Sequence, residues 1–140
     1  MPAHLRIEYT TKDSRLGNAS LMPYASAILG SSTTSCDAIG LVDSGASVNV
    51  LPYQIGRELG LDWASQRTAM RLSGNLADGD ARAVKLSVAI ATLRPIDLVF
   101  AWSSRDDVPM IFGQTNFFIA FDVCFFRSLG FFTVSIHADG

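Results

Sequence analysis

The alternation of side chains in residues 84–90 limits the folds open to this chain more than any other feature of its sequence. Apolar side chains occupy every second position and small or polar ones stand between them: Val84, Lys85, Leu86, Ser87, Val88, Ala89 and Ile90. Because successive side chains of a β-strand point to opposite faces, this period of two predicts a strand that is buried on one face. The chain is therefore expected to build a sheet with a protected side.

The rest of the chain consists of short apolar segments separated by turn-rich breaks at residues 12–18, 30–35 and 103–107. Short segments with such spacing are typical of an all-β domain. A strand is expected in most of the following segments: 6–9, 20–29, 35–42, 69–72, 82–91, 96–102, 108–112, 121–126 and 131–137.

Two short helices are expected to interrupt the strands. The first is about two turns long: Pro52 suits the first helical position and Gly60 can adopt the left-handed conformation that stops a helix. The second is expected over residues 115–120, with Thr115 or Gln114 near its start.

The composition favours a folded chain with extra apolar surface to bury. Residues 1–140 are expected to form a single domain, since this length suits one core and is short for two. Hydrophobic residues make up 49% and charged residues 17% of the chain, which excludes a solvated disordered chain and suggests a subunit interface. The net charge of -2 and the absence of a Lys/Arg cluster argue against a nucleic-acid partner.

The cysteine and histidine residues do not suggest a metal site. Cys36 and Cys124 are too few and too far apart for a metal or redox motif, so we expect two separate reduced core thiols. His4 and His137 lie near opposite ends of the chain and are interpreted as surface residues. Neither a metal ion nor another cofactor is expected.

No targeting signal or membrane span is recognisable. The first residues lack the apolar stretch and small-residue cleavage site of a signal peptide. The aromatic run over residues 117–132 contains Asp122, Arg127 and Gly130 and falls short of the roughly 18 apolar residues that a span needs. We expect a cytoplasmic protein in which this run forms core and interface.

Residues 40–52, GLVDSGASVNVLP, contain the motif that carries chemistry. Two apolar residues precede Asp43-Ser44-Gly45-Ala46, and an apolar strand and the helix at Pro52 follow. This stretch resembles the active-site segment of the retropepsin-like aspartic proteases, which are single-domain, homodimeric enzymes. A plain turn is the alternative, since Asp, Ser and Gly are all favoured in turns.

A second match about seventy residues downstream makes a plain turn less plausible. In the family, an apolar strand that ends in glycine packs beside the catalytic loop in a ψ-shaped crossing and leads into a helix. Ile111, Phe112 and Gly113 occupy that place, although Phe112 is bulkier than the usual aliphatic residue. The resemblance covers residues 20–134 approximately, and it implies an all-β fold, a closed barrel of the acid protease half-domain type with one or two short helices.

The resemblance implies an aspartic endopeptidase whose catalytic residue is Asp43. It also implies that the Ser44 hydroxyl bonds across a dimer axis, that Gly45 allows close approach of the backbone to the carboxylate, and that Ala46 leaves room for a paired loop. Peptide hydrolysis of this kind needs two carboxylates, one as base and one as acid. Neither residues 78–80 nor residues 106–107 repeat the motif, so a homodimer acting on a peptide or protein substrate is expected.

Residues 70–80 are the candidate for the hairpin flap that closes over substrate in the family. Its residues expected near substrate are Leu72, Ser73, Gly74, Asn75 and Leu76. Turn formers flanked by strand-like segments support a hairpin here, and an ordinary surface hairpin remains the alternative.

Two other functions stay open at the level of sequence. One is a catalytically silent dimerisation or peptide-binding module that keeps the fold, although the intact motif at residues 43–46 favours an enzyme. The other is a membrane-associated hydrophobic protein, which rests on the aromatic run alone. The strand expected at residues 131–136 could lie in the core or at a dimer interface.

Overall fold

The structure, a computed structural model, describes residues 4–11, 20–73 and 77–137. Its strands are β1 Leu5–Glu8, β2 Tyr24–Gly30, β3 Ser35–Val42, β4 Asn49–Leu51, β5 Ala69–Leu72, β6 Gly79–Ala89, β7 Ile96–Ser103, β8 Ile111–Phe112, β9 Phe121–Phe126 and β10 Phe131–Ile136. Its helices are α1 Tyr53–Glu58 and α2 Phe117–Ala120, with single 3-10 turns at Trp63–Ser65 and Arg127–Leu129. The predicted all-β class with two short helices is confirmed.

Seven strands form the main sheet in the order β2-β3-β8-β4-β7-β6-β5. β2 also pairs with β6, through Ile28 opposite Ala89, so the strands from β2 to β6 in this order close into a ring. Closing the ring leaves β5 outside it, paired with β6 alone. The expected closed barrel is present.

The interior of the barrel is filled by the face that the alternating pattern of β6 predicts. Val84, Leu86 and Val88 are buried and pack in one core cluster with Phe100 and Trp102 of β7. Burial of each such side chain contributes roughly 1.5–3 kcal/mol. The pattern therefore predicts which face of β6 is turned inward, and in the structure Val84 lies opposite Phe100 of β7.

A second, three-stranded sheet has the order β1-β10-β9. Phe132 and Val134 of its central strand are fully buried, so the C-terminal strand belongs to the core. β9 lies at the edge of this sheet, and Phe125, Phe126 and the following Leu129 are exposed. The aromatic run thus divides into a buried part and an exposed part.

Several predicted boundaries shift. The strand expected from residue 20 begins at Tyr24, and the one expected from residue 108 is reduced to β8, since Pro109 lacks the N–H that a ladder needs. Pro52 is the N-cap of α1 instead of its first residue, while Gly60 has the expected left-handed conformation with φ of 76°. α2 begins at Phe117, two residues later than expected.

The expectation of two core thiols is wrong for one of them. Cys36 is partly buried, but Cys124 is exposed on β9. An edge strand exposes side chains even within an apolar run, which the sequence does not reveal. His4 and His137 are both exposed, as expected. No helix in the described ranges has the length and apolarity that a membrane crossing requires.

Candidate active site

The site begins with the insertion of β8 between β3 and β4. β8 runs parallel to β3, with Leu41 opposite Ile111 and Val42 opposite Phe112, and it runs antiparallel to β4, with Val50 opposite Ile111. The chain leaves β3 at Val42 and enters β4 at Asn49, so residues 43–48, the Asp43 loop, must pass over the end of β8. This is the ψ-shaped crossing that the resemblance implies.

Backbone hydrogen bonds fix Asp43 at the start of this loop. Its N–H donates to the carbonyl oxygen of Phe112 at 3.0 Å, and its carbonyl oxygen accepts from the N–H of Ala46 at 3.1 Å. The side chain is held as well, because the N–H of Gly45 donates to Asp43 Oδ1 at 2.9 Å. The Asp43 carboxyl group is therefore held in place; the residue as a whole is half-buried, and Ser44 and Gly45 are exposed beside it.

A buried amide beneath the loop joins three strands. Asn49 is fully buried; its Oδ1 accepts from the N–H of Gly113 at 2.8 Å and its Nδ2 donates to the carbonyl oxygen of Val99 at 3.0 Å. The sequence analysis did not single out this residue. The available signal was one amide within the otherwise apolar run of residues 48–51.

Gly113 permits the close approach that the crossing needs. A Cβ at this position would lie 2.4 Å from the carbonyl oxygen of Val48 and 2.9 Å from that of Ala46. No side chain fits there without a backbone shift. Phe112, the residue that departs from the usual aliphatic pattern, is fully buried and stacks on Phe117 of α2 with 4.5 Å between ring centroids.

The residues after Gly113 complete the support of the loop. The N–H of Gln114 donates to the carbonyl oxygen of Ala46 at 2.8 Å, and the N–H of Thr115 donates to that of Ser47 at 2.9 Å. The side-chain Nε2 of Gln114 donates to the carbonyl oxygen of Ser44 at 2.6 Å. Three carbonyl groups of the loop, those of Ser44, Ala46 and Ser47, are thereby satisfied by a segment about seventy residues away in sequence.

A groove of about 400 Å³ opens beside Asp43. One wall is the Asp43 loop with Ile111 beneath it, and the other includes Leu72 and Ser73. The structure therefore brings the carboxyl group, the crossing and two of the five candidate flap residues together. Gly74, Asn75 and Leu76 lie outside the described residues.

The second wall belongs to a β-hairpin, as expected for residues 70–80. β5 and β6 pair antiparallel, with Leu72 opposite Gly79 and Ala69 opposite Arg82. We refer to residues 69–73 and 77–80 as the groove hairpin. Met70, Leu72 and Ala77 of this hairpin belong to a core cluster separate from that inside the barrel, together with Val50 and Ile111.

The three-dimensional structure of this chain is similar to that of a solved protein. The crystal structure of a retropepsin-like aspartic protease from Rickettsia conorii superposes with a TM-score of 0.66 and 14% identity, covering 97% of this chain and 94% of that one. The chain has the retropepsin-like fold. No family model matches its sequence, and no curated protein does.

At this low identity the likeness extends to the fold, and the chemistry of the site rests on the local geometry. Within the retropepsin-like fold the groove presents an aspartate against mainly apolar walls, and Arg71 is the other charged residue that lines it. In the ranges 4–11, 20–73 and 77–137, no three His, Cys, Asp or Glu side chains come together as a metal site would require.

Proposed function

We propose that this protein is an aspartic endopeptidase, in which water activated between the Asp43 carboxyl groups of two copies hydrolyses a peptide bond. The observation that carries the proposal is the carboxyl group of the half-buried residue Asp43, which lines a groove and is held by the Gly45 N–H on a loop that crosses β8. A plain turn between strands would not need this support from residues 49 and 113–115.

The proposed mechanism uses the two carboxyl groups in opposite protonation states. The ionised one takes a proton from water, whose oxygen adds to the peptide carbonyl carbon, and the protonated one donates its proton to the carbonyl oxygen. Collapse of the tetrahedral intermediate breaks the C–N bond: the nitrogen receives the proton that the first carboxyl group took from water, and the second carboxylate takes a proton from one hydroxyl of the intermediate, which restores the starting protonation states. Two carboxyl groups about 3 Å apart cannot both ionise, so they share the proton that this mechanism requires.

The second carboxyl group must come from another copy, because the sequence has one Asp-Ser-Gly motif. Two features support a homodimer. Ser44 and Gly45 are exposed at the top of the loop, where a partner loop would meet them. The edge strand β9, with exposed Phe125 and Phe126, offers backbone groups and apolar area to a second copy related by a two-fold axis.

The proposed substrate is a peptide or protein segment in extended conformation. The apolar groove residues, among them Val48, Val50 and Met70, suit hydrophobic side chains next to the cleaved bond. Leu72 and Ser73 are the proposed substrate contacts of the hairpin wall, and residues 74–76 extend this proposal. No metal ion or cofactor takes part in the proposed reaction.

Replacement of the carboxyl group tests the function. Asp43→Asn keeps the shape and the acceptor for the Gly45 N–H but cannot act as a base, so kcat/KM on a peptide library should fall by about 100-fold or more. Asp37→Asn is the matched control, since Asp37 is an exposed aspartate of β3, the strand that precedes the Asp43 loop, and lies outside the groove. It should cleave like the wild type.

Circular dichroism and sedimentation of Asp43→Asn complete the test. Both should match the wild type, since the amide removes charge repulsion between two loops and disturbs no packing. If Asp43→Asn cleaves at the wild-type rate, Asp43 is only a turn residue and the proposed function is wrong. If a strictly monomeric species is fully active, the proposed dimer is wrong. If the wild type binds peptides without cleaving them, the protein is the catalytically silent peptide-binding module and not an endopeptidase.

A further inference from the structure

Residues 103–107, the Arg105 loop, join the groove hairpin to the body of the barrel. The N–H of Arg105 donates to Oγ of the fully buried Ser103 at 3.0 Å, and its carbonyl oxygen accepts from the N–H of Tyr53 at 3.0 Å. Asp106 Oδ1 accepts from the N–H of Gln54 at 2.7 Å. The backbone of this loop is therefore fixed on the first turn of α1.

The Arg105 side chain extends from this fixed backbone to the hairpin. Its Nε and Nη2 donate to the two carboxylate oxygens of Asp107, at 2.8 and 2.6 Å, and its Nη1 donates to Asp78 Oδ1 at 2.6 Å. A bidentate pair fixes the plane of a guanidinium group. Asp107 thus orients Arg105 so that its remaining nitrogen meets Asp78.

Asp78 stands at the turn end of the groove hairpin, just beyond the last pair of its ladder, Leu72 opposite Gly79. Ala77, which lines the groove, precedes it, and Gly79, paired with Leu72, follows it. The N–H of Ser104 also donates to the carbonyl oxygen of Asp80 at 3.0 Å. The Arg105 loop consequently holds the turn end of the hairpin by one backbone bond and one ion pair.

We propose that Arg105 is a positioning residue that sets the hairpin wall of the groove against the Asp43 wall and so determines how tightly a peptide is bound. The inference rests on the proposed function. Arg105 does not line the groove, and it acts through Asp78 on Ala77 and Leu72. The hydrogen bonds that hold Asp43 involve no residue of the Arg105 loop, so binding and the chemical step are affected separately.

Arg105→Gln should therefore raise KM for a cleaved peptide about three- to five-fold and leave kcat within about two-fold, as expected for an exposed ion pair. Arg105→Lys keeps the charge and should restore part of the loss. Asp78→Asn should give the same KM as Arg105→Gln, and the double variant should be no worse than either. Added salt should raise the KM of the wild type and leave that of Arg105→Gln unchanged.

Lys85→Gln is the matched control, because Lys85 is an exposed cation of β6 that pairs with Asp97 at 3.8 Å away from the groove. Its KM should equal that of the wild type. An unchanged KM in Arg105→Gln, or a fall in kcat and in thermal stability without a rise in KM, would overturn the positioning role.

A second measurement decides the positioning role without any cleavage. Hydrogen exchange of Arg105→Gln, read by mass spectrometry, should show faster exchange at residues 77–80 and unchanged exchange at residues 43–48. Exchange that is the same in Arg105→Gln as in the wild type at residues 77–80, or that is faster both there and at residues 43–48, would contradict the inference. The endopeptidase proposal fails on a different result, namely cleavage by Asp43→Asn that is as fast as cleavage by the wild type.

Discussion

The two walls of the groove are held by different kinds of interaction. The Asp43 loop is tied to the core by the buried amide of Asn49 and by backbone bonds from residues 112–115. The groove hairpin packs Leu72 against Val50 and Ile111, and its turn end is tied to the barrel by the ion pair of Arg105 with Asp78, whose side chains are 46% and 66% exposed. A second exposed pair, Arg71 with Asp80, joins the two strands of the hairpin itself. A buried donor left without a partner costs about 1–3 kcal/mol, whereas exposed pairs contribute about 0–1 kcal/mol.

The position of Asp43 thus depends on buried hydrogen bonds of the fold, while the turn end of the opposite wall is held by exposed charges. A change beneath Asp43 should therefore affect folding and any activity together. A change to the exposed charges at the turn end of the hairpin should affect peptide binding and leave folding nearly untouched. Variants of single residues can test this division.

The largest effect is expected at Asn49. In Asn49→Leu the N–H of Gly113 and the carbonyl oxygen of Val99 lose their buried partner, which should lower the free energy of unfolding by roughly 2–5 kcal/mol. Urea denaturation measures the loss. An exposed amide serves as control: Gln54→Leu, on α1, should change stability far less. A stable Asn49→Leu would show that the Asp43 wall does not depend on this amide.

The next largest effect is expected at Gly113. The added Cβ of Gly113→Ala would lie 2.4 Å from the carbonyl oxygen of Val48, so the loop must shift, at a cost of about 1–3 kcal/mol. Gly30→Ala is the control, since a Cβ there meets its nearest atom, Cβ of Ser87, at 3.5 Å. Equal unfolding midpoints for the two variants would contradict the tight crossing.

A small effect is expected at the opposite wall. Arg71→Gln removes an ion pair with Asp80 whose nitrogen and oxygen lie 3.1 Å apart and whose side chains are largely exposed. Its free energy of unfolding should stay within about 0.5 kcal/mol of the wild type. A loss as large as that of Gly113→Ala would mean that the two walls are held equally firmly, and the comparison would fail.

The sequence predicted where the strands begin and end better than it predicted which strands pair. The bounds of β3, β5 and β9 agree with prediction, because turn residues or a change of pattern mark both ends of each segment. The pairing of β2 with β6 and the insertion of β8 depend on contacts between distant segments, which local periodicity does not encode. The resemblance supplied the crossing that periodicity could not.

The candidate site was predictable to the extent that its residues belong to a contiguous motif. Asp43, Gly45 and Gly113 stand in such motifs, and their backbone contacts match what the resemblance implies. Asn49 and Arg105 do not, because their importance arises from partners fifty or more and twenty-seven residues away. Only the folded chain shows these partners.

The smallest expected effect is a change of stability with pH, which should occur for the hairpin wall and not for the Asp43 wall. Arg105, through its hydrogen bonds and its charge, holds the pKa of Asp107 below its usual range. A lowered folded-state pKa means that the contribution of this pair is fully present above the pKa of Asp107 in the unfolded chain. The contribution is lost as the pH falls through the lowered folded-state value.

The stability difference between the wild type and Asp107→Asn should therefore be small and constant at pH 5 and above, and it should shrink towards zero in acid. Urea unfolding at a series of pH values measures it. The deficit of Asn49→Leu should change little over the same series, since neither an amide nor a leucine titrates. Two results would contradict this: an Asn49→Leu deficit that also shrinks in acid, or an Asp107→Asn deficit that stays constant in acid. Either would mean that the hairpin wall is not held by charge in the way that the bidentate contact between Arg105 and Asp107 indicates.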